Sequence, residues 1–528
     1  MHRTHHWLAY ILMFGFTWLL TYTIFNWQLM AFGLTWDEPA YMRAALSYHE
    51  WLQRLGRGEW IVLQPAVLSA YWEYNHEHPP LVKVWYALVA VPLIPQFGEI
   101  TAFRMAAIAL SATLLAVVAT SVMMQWNVPA GLVSVALLLS MPRFFFHAHL
   151  AALDVPGALA YVVPLLVFWH TRQRRSWWLG LVLGLIWGVA LATKVNAAFV
   201  LPALGVWWLC CSRQLYMFGR LALMASVAPL VFVGVWPWLW VDTGSRLIAY
   251  LRWLTVDHWQ IPQWFLGQST LPPPWYFGAV IIVMVTPLAV LILGGLGVRW
   301  HTRDERSYVL LLVIAAVMPV LAVMSSSVVY DNDRLLMPFF VVWAMLATHG
   351  VMQVATWVSR GIPQRQRYMW LLVLALSVTP ALIQVRMLWP HLLSYYSESI
   401  GGLPGASRFQ MDHTYWNESY LPAFRYLDQQ APVNARIWVE PWSLDVPHTY
   451  QRVAVIRKDL QFGSDVGGSI WGAQVGQFSP TDADYVVVTY RFAGWTTTIR
   501  SLVAGNTNPP VYTIVRQGVT ILEVYRIP

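Results

Sequence analysis

Apolar runs long enough to cross a lipid bilayer recur from Trp7 to Leu388, and no other feature of the sequence narrows the fold so far. A hydrocarbon core about 30 Å thick takes about 20 residues of helix, and a single segment in hydrocarbon satisfies its own backbone only as a helix. The chain therefore reads as an α-helical polytopic membrane protein. Its composition excludes an ordinary soluble globule, since only 11% of the 528 residues are charged against about 25% in soluble proteins. The first run, 7 to 32, is longer than a signal-peptide core and lacks a small-residue cleavage pattern, so it reads as a membrane anchor. The two cysteines, Cys210 and Cys211, are adjacent, which rules out a disulfide framework and shows no metal-ligand spacing. The net charge of +8 sits mostly in short clusters between apolar runs. That pattern sets membrane orientation and gives no reason to expect nucleic acid as a partner.

Eleven spans are expected: 7 to 32, 102 to 125, 128 to 141, 155 to 170, 177 to 192, 196 to 212, 219 to 240, 275 to 298, 307 to 328, 335 to 352 and 369 to 388. A further apolar piece, 81 to 96, carries Lys83, Pro92 and Pro95. Parity decides how it is read. Basic clusters fall at Arg172, Arg174 and Arg175, at Arg213 and Arg220, at Arg299, Arg303 and Arg306, and at Arg360, Arg365 and Arg367. All four lie inside only if 81 to 96 does not cross. The expected topology is then a cytoplasmic amino terminus and an extracytoplasmic loop 33 to 101. Residues 142 to 154, 193 to 195, 241 to 274 and 329 to 334 share that outer face of an integral plasma-membrane protein.

Beyond about Trp389 the long apolar runs stop and Asp, Asn, Gln and Gly rise. Two domains follow: 1 to 388, a transmembrane unit with the loop 33 to 101, and 389 to 528, a small extracytoplasmic α/β domain. In the second, 419 to 430 reads as helix, 484 to 490 as a buried strand, and 511 to 515 with 520 to 527 as a hairpin across Gln517 and Gly518.

With so few charges, those near outer helix ends are informative. Asp37 and Glu38, in Thr35-Trp36-Asp37-Glu38-Pro39, follow the first span, and the plain structural alternative is a helix cap. Asn75-His76-Glu77-His78-Pro79-Pro80 ends the same loop and leads to Lys83, where the alternative is a rigid turn with a snorkelling lysine. Arg143, His147, His149 and Asp154 precede the span at 155, and Arg104 sits inside the span at 102. Thr193-Lys194 places a cation between apolar spans, a functional position by default. Asp257-His258 lies in a loop rich in Trp and Pro, and Asp331-Asn332-Asp333-Arg334 stands directly before a span. The topology gathers all these groups on one face, so one polar cavity is a simpler account than several independent structural roles. Acids beside Lys and Arg at membrane level suit an anionic lipid head group. No Walker loop, dinucleotide fingerprint, zinc-protease helix or serine elbow is present.

Five motifs also occur in an order that resembles a known family: Trp36-Asp37-Glu38-Pro39, His78-Pro79-Pro80-Leu81, Ala152-Leu153-Asp154-Val155-Pro156, Thr193-Lys194 and Arg334-Leu335-Leu336-Met337-Pro338. The order is similar to that of polyprenyl-phosphate-sugar-dependent membrane glycosyltransferases of the GT-C superfamily. Within it the likeness is to protein O-mannosyltransferases of family 39 and the bacterial aminoarabinose transferase of lipid A. The resemblance implies catalytic roles for Asp37, the general base, and Asp154, and the adjacent Glu38 stands beside Asp37 as a further catalytic candidate. It implies donor-phosphate contacts at Lys194 and Arg334, to which Lys83 and Arg104 are added. It implies a divalent metal shared by Glu77 and His258, an optional group since two ligands make a poor site, and supporting places for His78, Asp257 and Asp333. His78 stands where the aminoarabinose transferase has the Lys of a Glu-Lys-Pro motif.

The expected reaction is transfer of a sugar from a polyprenyl-phosphate lipid to a protein, lipid or glycan acceptor, by direct displacement with inversion. Phosphate departs as a stable anion, so one base suffices, unlike the carboxyl pair of a glycosidase. No cofactor is required, and the partners are the lipid donor, the acceptor and membrane lipids. The rival class is a transporter or flippase for an anionic or lipid-linked substrate. It is disfavoured because the ionisable groups keep to helix ends on one face and no half-repeat is visible.

Overall fold

The structure is a computed structural model of the 528-residue chain and describes residues 2–258, 261–325, 329, 331–360, 363–441, 443–464, 468–470, 473–505 and 509–528. Among these, six helices are long and apolar enough to cross a membrane: Trp7–Trp27, Glu99–Gln125, Leu215–Gly234, Arg306–Met324, Arg334–Val358 and Tyr368–Leu388. A seventh crossing can be made by Phe277–Val285 and Leu288–Arg299, bent by 114° at their junction. Pro287, which has no N–H to donate, marks that break.

Helix length thus accounts for six or seven crossings where eleven are expected. The other four expected spans are the helices Val128–Ser140, Asp154–Thr171, Trp178–Thr193 and Val200–Cys211, of 13, 18, 16 and 12 residues. At 1.5 Å per residue they reach about 18 to 27 Å, short of a hydrocarbon core. Apolarity alone hides the reason. Val195–Phe199 is a 3₁₀ turn, so the start of the run 196 to 212 is not α-helix, and 148 to 153, between two runs, is turns and bends. The piece 81 to 96 is broken into Leu81–Val89, Val91–Leu93 and Ile94–Phe97.

Small residues set the helix contacts that matter for the site. Gly180, Gly184 and Gly188, spaced by four, lie against Leu215–Gly234, and a Cβ on Gly184 would stand 2.6 Å from that of Val227. This close approach, common between membrane helices, fixes the helix that ends at Thr193 and leads into Lys194. Likewise Gly297 lets Leu288–Arg299 press on Met337–Val358, where a Cβ would meet the Leu346 carbonyl oxygen at 2.0 Å.

The carboxyl-terminal part carries a seven-stranded mixed sheet. A separate hairpin comes first in the chain, β1 (Gln263–Phe265) with β2 (Gln268–Thr270). The sheet strands are β3 (Arg436–Glu440), β4 (Gln461–Ser464), β5 (Gly468–Ile470), β6 (Ala473–Gln477), β7 (Tyr485–Thr489), β8 (Tyr512–Arg516) and β9 (Val519–Arg526), in the order β5-β6-β4-β3-β7-β9-β8. The core β3, β4 and β7 are parallel, whereas β8 and β9 form the expected antiparallel hairpin. The helix expected at 419 to 430 is Tyr420–Gln430.

This part is locked to the bundle. The Tyr450 hydroxyl accepts from the Leu34 amide at 2.5 Å, Arg452 pairs with Glu99, and a Cβ on Gly33 would collide with the Glu418 carbonyl oxygen. The β1–β2 hairpin grips it from the other side: the Trp264 indole donates to the Gln410 carbonyl at 2.8 Å and packs 5.5 Å from the Phe492 ring.

Candidate active site

The ends of several helices meet in one network of charged groups. Asp154, in the first turn of Asp154–Thr171, accepts from Lys194 Nζ at 2.6 Å and from Arg334 Nε at 3.2 Å. The Arg334 guanidinium also donates to Asp331 Oδ2 at 2.6 Å and to Asp37 Oδ2, and it lies over the Trp416 ring with 3.7 Å to the centroid. Asp331 and Asn332 take left-handed backbone, φ 52° and 60°, which Asp and Asn tolerate better than other side chains. This turn lets Asp331 and Arg334 face the same group. The other oxygen of Asp331 accepts from Arg491 at 2.8 Å. Three carboxylates, Asp37, Asp154 and Asp331, therefore balance three cations, Lys194, Arg334 and Arg491.

Accessibility divides this network. The Asp154 side chain is 1% exposed and that of Arg334 4%, whereas Lys194 is 12% and Asp37 23% exposed. The reachable cation is Lys194 and the reachable acid Asp37. Asp37 occupies the cap position of Glu38–Gly56 but makes no capping bond. Its Oδ2 takes both Arg334 and the Tyr41 hydroxyl, the latter at 3.1 Å, while Oδ1 has no hydrogen bond among the described residues.

Two adjoining cavities open on these groups. One, of about 330 Å³, is lined by Trp36, Asp37, Asp331, Arg334 and Arg491. The other, of about 320 Å³, holds Lys194 among apolar walls that include Val195, Phe199, Leu254 and Val323. Glu77, His78, Trp253 and His258 line both. Desolvation pushes the His78 imidazole down to about 3, with Glu77 opposing, so His78 contributes a neutral ring and no charge to this wall. Burial likewise lowers His147 to about 4, against the pull of Asp154; its Nε2 is 3.1 Å from the Tyr415 hydroxyl.

Several expected site residues are engaged elsewhere. Glu38 is fully buried and accepts from the Thr35 amide and hydroxyl, the Ala151 amide and Arg104. Arg104, equally buried, spends its remaining donors on the carbonyls of Leu29, Phe32 and Gly33. The pair ties the first outer loop to the second expected span, and neither Glu38 nor Arg104 lines either cavity. Lys83 is buried, and its Nζ donates to the Asn75 side chain at 3.0 Å and the His78 carbonyl at 2.9 Å, bracing the turn before Pro79. Asp333 is held by Arg143 at 2.6 Å and by Tyr415 at 3.0 Å, behind the network. Asp257 pairs with Arg252 at 3.2 Å, well exposed, and lines neither of the two cavities. Among the described residues no three His, Cys, Asp or Glu side chains gather as a metal site. Glu77 and His258 alone do not make up a donor set.

The network also holds residues that the motifs do not mark. Tyr41, Trp416 and Arg491 touch it and Tyr415 backs it through Asp333, three of the four from beyond residue 389. Tyr41 stands one turn after Asp37 and had a local signal; the others had none.

The helical bundle, with charged helix ends meeting beside a carboxyl-terminal sheet, has the fold of two solved membrane-protein structures. The solved structures it resembles are ArnT from Cupriavidus metallidurans in the apo state (TM-score 0.51, 15% identity, 99% of this chain and 98% of that one) and ArnT from the same organism bound to undecaprenyl phosphate (TM-score 0.51, 16% identity, 98% of each). In sequence the chain is similar to the undecaprenyl phosphate-alpha-4-amino-4-deoxy-L-arabinose arabinosyl transferases of Enterobacter sp. (strain 638), 28% identical over 219 residues, and of Edwardsiella ictaluri (strain 93-146), 26% over 182. The matches span 38% and 32% of those relatives and 38% and 31% of this chain. No protein-family model matches.

Proposed function

We propose that the chain is a glycosyltransferase that moves a sugar from a polyprenyl-phosphate donor to an acceptor hydroxyl or amine on a protein, lipid or glycan. The observation that carries this reading is the state of Asp37: one oxygen held by Arg334 and Tyr41, the other open at a cavity wall next to a second cavity that contains Lys194. Lys194 among apolar walls suits a lipid phosphate and its first isoprene units. Asp37 Oδ1 takes the acceptor proton, the acceptor oxygen or nitrogen bonds to the anomeric carbon, and the bond from that carbon to the phosphate oxygen breaks. The electron pair leaves with the phosphate, whose charge Lys194 and Arg334 absorb. Attack opposite the leaving group inverts the anomeric centre.

In this reading residues 1 to 388 form the catalytic membrane unit, with loop 33 to 101 bearing Asp37, and 389 to 528 a second domain, both cavities facing the extracytoplasmic side of the plasma membrane. The likeness to arabinosyl transferases, one with undecaprenyl phosphate bound, supports transfer over transport. The test is mass spectrometry of lipids, glycans and envelope proteins from cells with the wild-type chain and with Asp37→Asn. A glycosylated species that disappears in the variant is expected, and identical profiles would overturn the reading.

A further inference from the structure

Arg491 sits in the loop after β7, and its place is firmly set. Its Nη2 bonds Asp331, its guanidinium lies 5.4 Å from the Trp36 ring centroid, and the loop around it is held by the Asp412 carboxylate, which accepts from the Phe492 amide at 2.6 Å. The residue is 6% exposed. Nevertheless its Nη1 is buried without a hydrogen-bond partner among the described residues, and the residue lines the cavity that contains Asp37. A buried donor left unpaired is costly, and in native proteins such a group usually marks a missing partner.

The surroundings say what that partner is. In this cavity the carboxylates Asp37, Glu77 and Asp331 outnumber the cations Arg334 and Arg491, so a further anion is disfavoured while a hydroxyl oxygen is welcome. Trp36 and Trp253 offer indole faces of the kind that cover a sugar ring. The volume, about 330 Å³, is at the small end of ligand sites. The neighbouring cavity with Lys194 shares four wall residues with it, so a group linked to a phosphate there would extend here.

We infer that Arg491 is a sugar-binding and specificity-determining residue, its Nη1 donating to a ring hydroxyl of the donor sugar while Trp36 covers one face. This rests on the lipid-donor reading above and adds to it that the carboxyl-terminal domain, and not only the membrane unit, selects the sugar. Because Asp331 bridges Arg491 and Arg334 through its two oxygens, the sugar contact and the phosphate side share one carboxylate.

The test measures Kd in nanodiscs for the full chain with bare undecaprenyl phosphate and with a panel of undecaprenyl-phosphate monosaccharides: a hexose, a pentose and an amino-pentose. Wild type should bind at least one sugar lipid more tightly than the bare lipid. Arg491→Lys, able to keep the Asp331 pair, and Arg491→Met should each lose about tenfold of that increment, read as the ratio of bare-lipid to sugar-lipid Kd, with folding checked separately by the unfolding temperature. If the increment survives in both variants, or if bare-lipid and sugar-lipid affinities fall together, Arg491 does not bind sugar. Binding of the bare lipid with no increment for any sugar overturns this inference alone. No binding of any polyprenyl lipid by wild type overturns the donor reading and this inference with it.

Discussion

The guanidinium of Arg334 and the carboxylate of Asp37 are bonded through one oxygen of the acid only, although the two residues lie 297 positions apart. The same arginine holds Asp154 and Asp331, so it is both the support of the proposed base and a competitor for any phosphate. A donor phosphate arriving at Lys194 would compete with Asp37, Asp154 and Asp331 for the same guanidinium.

Asp37→Asn should fold normally and transfer sugar about 10² to 10⁴ times more slowly, the usual contribution of a general base. The contrast is Glu38→Gln. Glu38 is the buried partner of Arg104, and breaking a buried pair costs about 3 to 5 kcal/mol. The expected outcome is poor yield and a lowered unfolding temperature in detergent, with residual folded protein still active. A stable but inactive Glu38→Gln protein would move the base by one residue.

Lys194→Ala should weaken binding of bare undecaprenyl phosphate by roughly 10- to 150-fold, corresponding to about 1.5 to 3 kcal/mol for a charge-assisted contact. Gly157→Ala is a milder form of the same experiment. A Cβ there would stand 2.6 Å from Lys194 Cδ and 3.1 Å from its Cβ, displacing the lysine stem without removing its charge. Wild-type affinity in Lys194→Ala would place the phosphate elsewhere.

Asp412 gives a pH signature. Burial pushes its carboxyl up to about 7, against the Arg491 charge and the Phe492 and Ala493 amides. An acid whose folded pKa is raised binds more protons folded than unfolded. Its ionisation therefore costs stability progressively from about pH 4 to about pH 7, by about 1.4 kcal/mol per pH unit within that window. Asn at this position does not ionise. The unfolding free energy of Asp412→Asn relative to wild type should rise across that range and level off above it. A difference that is flat with pH would show that Asp412 titrates normally.

Sidedness is open to cysteine labelling in a background where Cys210 and Cys211 are replaced by Ser. A thiol at Gln173, an exposed position, should react with an impermeant reagent only from the cytoplasm, and one at exposed Thr498 only from outside. Reaction of both from the same side would defeat the parity argument.

The central residues were readable because membrane composition makes charge rare: Asp37, Asp154, Lys194 and Arg334 stood out singly, and topology brought their helix ends together. Rarity does not tell a charge that faces a cavity from one whose bonds are all spent in the core. Glu38 and Arg104 carry the same sequence signal as Asp37 and Lys194, and only their saturated bonds reveal the difference. Span number is less legible, because apolar turns such as 195 to 199 count as span by hydropathy yet contribute no α-helical length. Arg491 was invisible for a third reason. In a domain with ordinary composition one more arginine carries no signal, and its partner Asp331 lies 160 residues away.

The bond between Asp331 and Arg491 also bears on the order of events during synthesis. Domains fold largely as they emerge, amino-terminal part first. The membrane helices can therefore be inserted and packed while the ribosome has yet to deliver β7 and the loop behind it. Until that loop docks, Asp331 has a single arginine and the cavity beside Asp37 lacks a wall. A nascent or truncated chain would hold the lysine in a cavity lined wholly by residues up to Leu335, while the cavity beside Asp37 would still wait for the wall that Arg491 supplies.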